Sequence, residues 1–277
     1  ASTFDVFGGR LERGYHHLFI SDTSITELIE ELGLGDKLEW LESSVGFYHG
    51  GNIWDFANPM DLLKFKPLPI LDRIRVGFWT LKLQKTKSYK QFEGVTAQSW
   101  LTSHMGEKGY EVIWEPLLRG KFGEYHDKIG MTWIWNKVTL RVASRKGAGQ
   151  VERLGYPMGS FGEVIDVLAE HIVRQGGQLH TSSSASKIIE SDGSATTLEV
   201  QINGGEPERR EYDAVIATTP SYVFTRLAPP MPQEYTDKLE GINYLSAVLM
   251  VLVMDRPFTN KYWMNIADPT MPFVALI

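Results

Sequence analysis

The chain opens on a two-residue alternation of apolar and polar positions. Phe4 and Val6 alternate with polar neighbours, Gly8-Gly9 offers a tight turn, and residues 11–19 continue extended, which predicts strand, turn, strand. The period then becomes helical: Ile25, Leu28, Ile29 and Leu32 recur at i, i+3, i+4 and i+7, with Ser24 and Glu27 spaced as a capping box and Gly33 as the stop. From Pro59 to Arg145 helical periods rich in Trp, Leu and Lys dominate, giving helices over 71–87, 97–105, 110–118 and 132–143, with Lys66-Pro67-Leu68-Pro69 leading in.

At Tyr156-Pro157-Met158-Gly159 the mixed pattern returns. Ser160 and Glu163 form a second capping box, Phe161, Val164, Ile165, Leu168 and Ile172 share one helical face, and Gly176-Gly177 closes that helix. Three extended segments follow, 184–190, 196–202 and 208–212, joined by Asp192-Gly193 and Asn203-Gly204-Gly205; they predict a three-stranded β-meander. It leads into Ala214-Val215-Ile216-Ala217, a continuous apolar run of the kind buried on both faces of a parallel sheet. Thr218 or Thr219 would cap the next helix, over 221–227, with Pro220 at its first position. Residues 247–254 are read as another buried strand, being well short of the ~18 apolar residues that span a bilayer. The expected fold class is α/β with a helical insertion: 1–58 and 146–230 form one discontinuous domain, 59–145 and 231–277 a mainly helical second one.

Composition narrows the function. With a net charge of −6 among 277 residues and no zinc-finger or RNP pattern, nucleic acid is excluded as a partner. The absence of cysteine removes disulfides, thiolate metal sites and a catalytic thiol. No metal is expected, since the His16-His17 pair lies on an extended segment that points its members to opposite faces, and the other histidines are scattered. The tryptophans at 100, 114, 133 and 135 read as core or as the lining of a planar apolar substrate site. Arg119 and Lys121, beside two glycines, complement a helix C-terminus or stand near a cofactor. The basic helix 71–87 either packs within its domain or makes peripheral contact with a membrane.

Three blocks carry a family likeness: residues 4–19 ending in Gly14-Tyr15-His16-His17-Leu18-Phe19, then Tyr156-Pro157-Met158-Gly159-Ser160-Phe161 with its helix leading into 180–188, then 213–220. In order and spacing the chain resembles the two-domain FAD oxidoreductases that include flavin amine oxidases, protoporphyrinogen oxidases and phytoene desaturases. The resemblance implies FAD as cofactor, an FAD-binding Rossmann-like domain that is incomplete here, and a mainly helical substrate domain. It also implies that the backbone at Ala185 meets the adenine, that Thr218, Thr219 and Pro220 lie near the dinucleotide, and that Tyr15, His16 and His17 approach the isoalloxazine. The activity it implies is hydride transfer from an apolar or amine substrate to flavin; the expected location is the cytoplasm, either free or peripheral at a membrane. No general base is identified; His16, His17, Arg119 and Lys121 are the catalytic candidates.

The departures matter as much. No strand followed by G-x-G-x-x-G is present; Gly147-Ala148-Gly149-Gln150-Val151-Glu152 follows Ser144-Arg145-Lys146 and reads as a loop. Gly8-Gly9-Arg10 stands too close to His16 to serve as a pyrophosphate turn. The first residue is Ala1, the last run is apolar and unterminated, and the family's C-terminal Gly-Asp segment is missing, so the sequence reads as the family with both ends removed and is expected to be inactive alone. Two other functions remain open: a flavin-dependent sugar mutase of the UDP-galactopyranose mutase type, and a non-catalytic membrane-surface or interaction module.

Overall fold

The computed structural model describes residues 2–14, 16–143 and 152–277. Strands β1 (Thr3–Val6) and β2 (Gly9–Glu12) pair antiparallel with Val6 opposite Gly9. The turn therefore falls on Phe7 and Gly8, one residue before the expected Gly8-Gly9. Both have positive φ, 48° and 76°, as a hairpin turn of this length requires; the Phe7 side chain stands in solvent, where nothing opposes that backbone. After β3 (Leu18–Phe19), helix α1 (Thr23–Glu31) starts at Asp22, and the box expected at Ser24 and Glu27 does not form. The Asp22 carboxylate turns back to accept from the Phe19 N–H at 2.8 Å, so the chain reversal, not a cap, fixes this helix start. Ile29 on its inner face is fully buried with Leu18, Leu34 and Val164.

Strands β4 (Leu38–Glu42), β5 (Val45–His49) and β6 (Asn52–Asp55) precede the helical region. Helix α2 (Pro59–Lys64) carries a reciprocal capping box between Asn58 and Asp61. Helices α3 (Ile70–Lys85) and α4 (Ala97–Met105) follow, α4 capped by the Thr96 hydroxyl. A single turn, α5 (Glu107–Gly109), runs through a π-turn at Tyr110–Trp114 into α6 (Glu115–Phe122), where one regular helix over 110–118 was expected. Pro116 supplies the reason: it has no N–H to donate and its ring crowds the carbonyl four residues back, so the turn widens. With α7 (Met131–Ala143), these helices enclose a core that includes Phe47, Phe65, Leu101, Met105 and Ile134.

Strand β7 (Arg153–Pro157) lies between β3 and β4 in one antiparallel sheet, and α8 (Ser160–Arg174) leaves it. Strands β8 (Ser184–Ser191), β9 (Ser194–Gln201) and β10 (Glu208–Glu211) make a three-stranded antiparallel sheet in the order β10-β9-β8. Helices α9 (Ser221–Leu227) and α10 (Gln233–Glu240) come next, then β11 (Trp263–Ile266) and β12 (Ala275–Leu276). The latter two join β5 and β6 in a four-stranded sheet, β11 running parallel to β5. By packing, the chain divides into two compact units: Ala1–Val167 with Leu249–Ile277, and Leu168–Val248.

Two expected strands are absent. Residues 214–217 and 247–254 adopt no strand, and Ile216 is 89% and Val248 98% exposed. An apolar run states a preference for burial but supplies no partner; neither segment finds a neighbouring strand among the described residues. At α9 the N-cap is Pro220 and no side chain caps it, so neither Thr218 nor Thr219 has the expected role.

Candidate functional site

The hairpin β1–β2 is held against the start of α8. Arg10 Nε donates to Thr3 Oγ1 at 2.7 Å while its guanidinium pairs with Asp166, and Glu12, only 3% exposed, lies beneath. One Glu12 oxygen accepts from the Phe161 N–H at 2.6 Å, and the other from Tyr156 Oη at 2.9 Å. Glu12 thus neutralises a free N–H at the start of α8. The box expected there is not formed: Glu163 pairs with Lys37, while Ser160 Oγ accepts from the Gly162 N–H. Burial, then the bond to Glu12, pushes the Tyr156 phenol well above its usual range, keeping it a donor. Gly162 permits the contact, because a Cβ there would come within 2.8 Å of the Thr3 methyl and 2.9 Å of the Arg10 guanidinium.

This anchoring positions residues 13–17. Tyr15, an expected flavin neighbour, lies outside the described residues. His16 is exposed; its Nδ1 donates to the Gly14 carbonyl at 2.5 Å and its ring stands 5.7 Å from Phe161. A neutral His16 therefore leaves Nε2 as a free acceptor on the outer side. His17 points the other way, as neighbours on an extended segment do. Its Nδ1 lies 3.2 Å from Tyr262 Oη, and it lines a small pocket with Ser43, Arg141, Glu152, Leu154 and Trp263. Burial lowers the His17 pKa; Glu152 opposes that shift, and Arg141 and Lys137 add to it. Ser43 Oγ is buried there with no hydrogen-bond partner among the described residues.

Arg119, in the last turn of α6, is exposed and bonded at 2.8 Å to Glu115 of its own helix. Lys121 stands 5.8 Å from the centre of the Trp133 ring, and Lys137 stands 5.7 Å from the same ring. Burial, then repulsion from Lys121 and Arg141, lowers the Lys137 pKa. The sequence reading passed over Lys137 and Arg141, although Trp133, Lys137 and Arg141 recur at i, i+4, i+8 and mark one face of α7.

In the smaller unit, Ala185 pairs with Val200 and borders a groove with His180, Ser183, Ile202 and Tyr212. Arg210 donates to His180 Nε2 at 3.0 Å along it. Thr218 and Thr219 are exposed ahead of α9 in that unit. The mixed lining of apolar side chains and hydroxyls suits a flat heteroaromatic ring, so the groove fits the adenine end of FAD. In the larger unit, His16 is exposed and carries its polar ring edge to solvent. A phosphate cradle is not found among the described residues.

The family model of the flavin containing amine oxidoreductases matches residues 1–270. The chain belongs to that family. The family is one of flavin-containing oxidoreductases. The 15-cis-phytoene desaturase of Solanum lycopersicum is 23% identical over 297 residues, covering 93% of this chain and 48% of the relative. The chain thus spans about half the length of the curated relatives it matches. Among solved structures, a protein from an Exiguobacterium species described as a protoporphyrinogen oxidase superposes with a TM-score of 0.64 at 17% identity, covering 99% of this chain and 63% of that one. A reduced UDP-galactopyranose mutase gives 0.66 at 15% identity, covering 99% and 60%. These likenesses show that the chain shares the fold of those two proteins. No helix among the described residues is long and apolar enough to cross a membrane.

Proposed function

We propose that this chain is part of an FAD-dependent oxidoreductase that removes a hydride from an apolar or amine substrate. The observation that carries the reading is the family match over residues 1–270, supported by the desaturase relatives. FAD, when bound, supplies the two-electron acceptor. The protein's own part is to hold and to exclude. Ala185 and its groove receive the adenine, Thr218, Thr219 and Pro220 border the dinucleotide, and Tyr15 and His16 meet the flavin ring. His17, turned inward and held neutral by burial, fixes the segment from within. Lys121, Lys137 and Arg141 give their side of the larger unit a positive field suited to an anionic ring, whereas Arg119 is spent on Glu115. Residues 1–58 and 146–230 serve the cofactor, and 59–145 and 231–277 the substrate.

The test is spectroscopic. The whole protein should purify yellow, and anaerobic addition of its substrate should bleach the flavin absorbance; an apolar polyene and a primary amine are the probes. A colourless preparation that added FAD does not restore overturns the proposal. The likeness to UDP-galactopyranose mutase keeps one other reading, in which nucleotide diphosphate sugars perturb the flavin spectrum and neither probe bleaches it.

A further inference from the structure

Helix α3 is apolar on two opposite sides. Val76 and Leu83 are buried in the core, as one side of a surface helix should be. Ile70, Leu71, Ile74, Phe78 and Leu81 fall within an arc of about 100° on the other side at 3.6 residues per turn. All five are exposed, Leu71 at 77% and Phe78 at 59%, and Met60 and Leu63 of the neighbouring α2 are exposed too. Packing among the described residues does not account for the surplus stripe. Nor is the helix loose: Arg73 donates to the Leu63 and Leu68 carbonyls, and Arg75 to those of Ser103 and His104, at 2.6–2.8 Å.

Charge says what the stripe faces. Residues 59–90 hold eight Lys and Arg against two Asp, a net +6 in a chain whose total is −6, so the rest carries −12. Asp61 is committed to the Asn58 capping box. Lys64, Lys66, Lys82, Lys85, Lys87 and Lys90 are all exposed, and no ion pair among the described residues involves them. Lys85 extends the apolar stripe at its C-terminal end and Lys82 flanks it, 4.4 Å from the Trp79 ring. A second copy docked through the same face would set the lysine rim of one α3 against that of the other, like charge against like.

We propose that the exposed face of α3 seats on an anionic phospholipid surface, with Leu71, Ile74, Phe78 and Leu81 entering the headgroup boundary and the lysines meeting lipid phosphates and carboxylates. A rigid, doubly apolar helix rimmed by lysine is the form that lies in an interface plane. The seating is independent of flavin chemistry and can be read without turnover.

The experiment is co-sedimentation of the protein with vesicles of phosphatidylcholine alone and with about 30% phosphatidylserine added. Binding should require the anionic lipid and fall at least about tenfold when salt rises from about 0.1 to 0.5 M. The quadruple variant Lys82→Gln, Lys85→Gln, Lys87→Gln, Lys90→Gln should lose at least about tenfold, since each lysine near such a surface contributes roughly a fivefold factor. Leu71→Ser with Phe78→Ser should abolish binding with an unchanged thermal midpoint, because both side chains are already in solvent. Absence of binding at low salt overturns the proposal, as does equal binding to neutral vesicles. So does a concentration-dependent dimer removed by the serine variant without any vesicle binding, which would assign the face to a second copy.

Discussion

Removing the Glu12 carboxylate should destabilise the larger unit more than any loss of apolar contact at that position. Glu12→Ala leaves two donors facing a buried space, the Phe161 N–H now 2.6 Å from one oxygen and Tyr156 Oη now 2.9 Å from the other. Hydrogen bonds to a charged group contribute about 1.5–3 kcal/mol each, and the α8 dipole adds a few tenths to one more; relief of burying a charge offsets part of this. The expected loss is about 3–4 kcal/mol. Glu12→Gln, keeping one acceptor oxygen for Phe161, should cost about half as much. Tyr156→Phe should cost about 1.5–2 kcal/mol, and in Glu12→Ala it should cost almost nothing further, giving a coupling of about 1.5–2 kcal/mol in a double-mutant cycle. Urea unfolding followed by tryptophan fluorescence measures all four proteins, provided the denaturant slope is unchanged. If the two substitutions add to within about 0.3 kcal/mol, the oxygens and the phenol are not acting on each other and the reasoning fails.

Two pH effects follow from the shifted groups. His17 has a lowered folded pKa, so the unfolded chain binds the extra proton first; stability is full above the ordinary value of about 6.5 and falls as pH drops below it. His17→Gln should flatten that acid limb of the thermal midpoint, and an unchanged limb would count against burial of a neutral imidazole. Tyr156 has a raised pKa, so stability should fall as pH climbs past about 10, where the unfolded phenol ionises first, and Tyr156→Phe should remove that decline. Gly162→Ala forces a methyl against Thr3 and Arg10 and should cost about 1–3 kcal/mol by thermal unfolding; a neutral result would show that the hairpin does not rest on α8. Residues 1–277 alone should bind FAD more weakly than micromolar in a fluorescence-quenching titration, since phosphate contacts dominate dinucleotide affinity; tighter binding would relocate the cofactor site.

Local signals in the sequence were read well where the answer was local. The bounds of Ala97–Met105 and Ser221–Leu227, the stops at Gly33 and Gly176, and the opposite orientation of His16 and His17 all follow from period, caps and alternation within a few residues. Apart from the turn at Phe7-Gly8, the box at Ser24 and the π-turn, what failed needed a distant partner. Glu12 caps a helix 149 residues later, and Glu163, spaced correctly for its own box, is drawn instead to Lys37, 126 residues back. No window on the sequence joins those pairs. The apolar runs at 214–217 and 247–254 failed for the complementary reason: strand character was legible, but a strand exists only when another lies beside it. Pro116 was a visible warning of the π-turn, and the i, i+4 line through Trp133, Lys137 and Arg141 could have been found by drawing α7 as a wheel.

The uncovered segment Ala247-Val248-Leu249-Met250-Val251-Leu252-Val253-Met254 has a practical consequence for anyone handling the protein. It is eight residues of uncharged, proline-free, β-forming chain whose backbone pairs with no strand among the described residues, and its composition is that from which cross-β stacks nucleate. Asp255-Arg256-Pro257 follows at once, two charges and a residue that cannot join a ladder, and so acts as a gatekeeper that limits such stacking from one end. At the other end Tyr244-Leu245-Ser246 offers no comparable break. Self-association of the isolated chain should therefore propagate through this stretch, and a lysine placed near Ser246 is the smallest change that would close the open end.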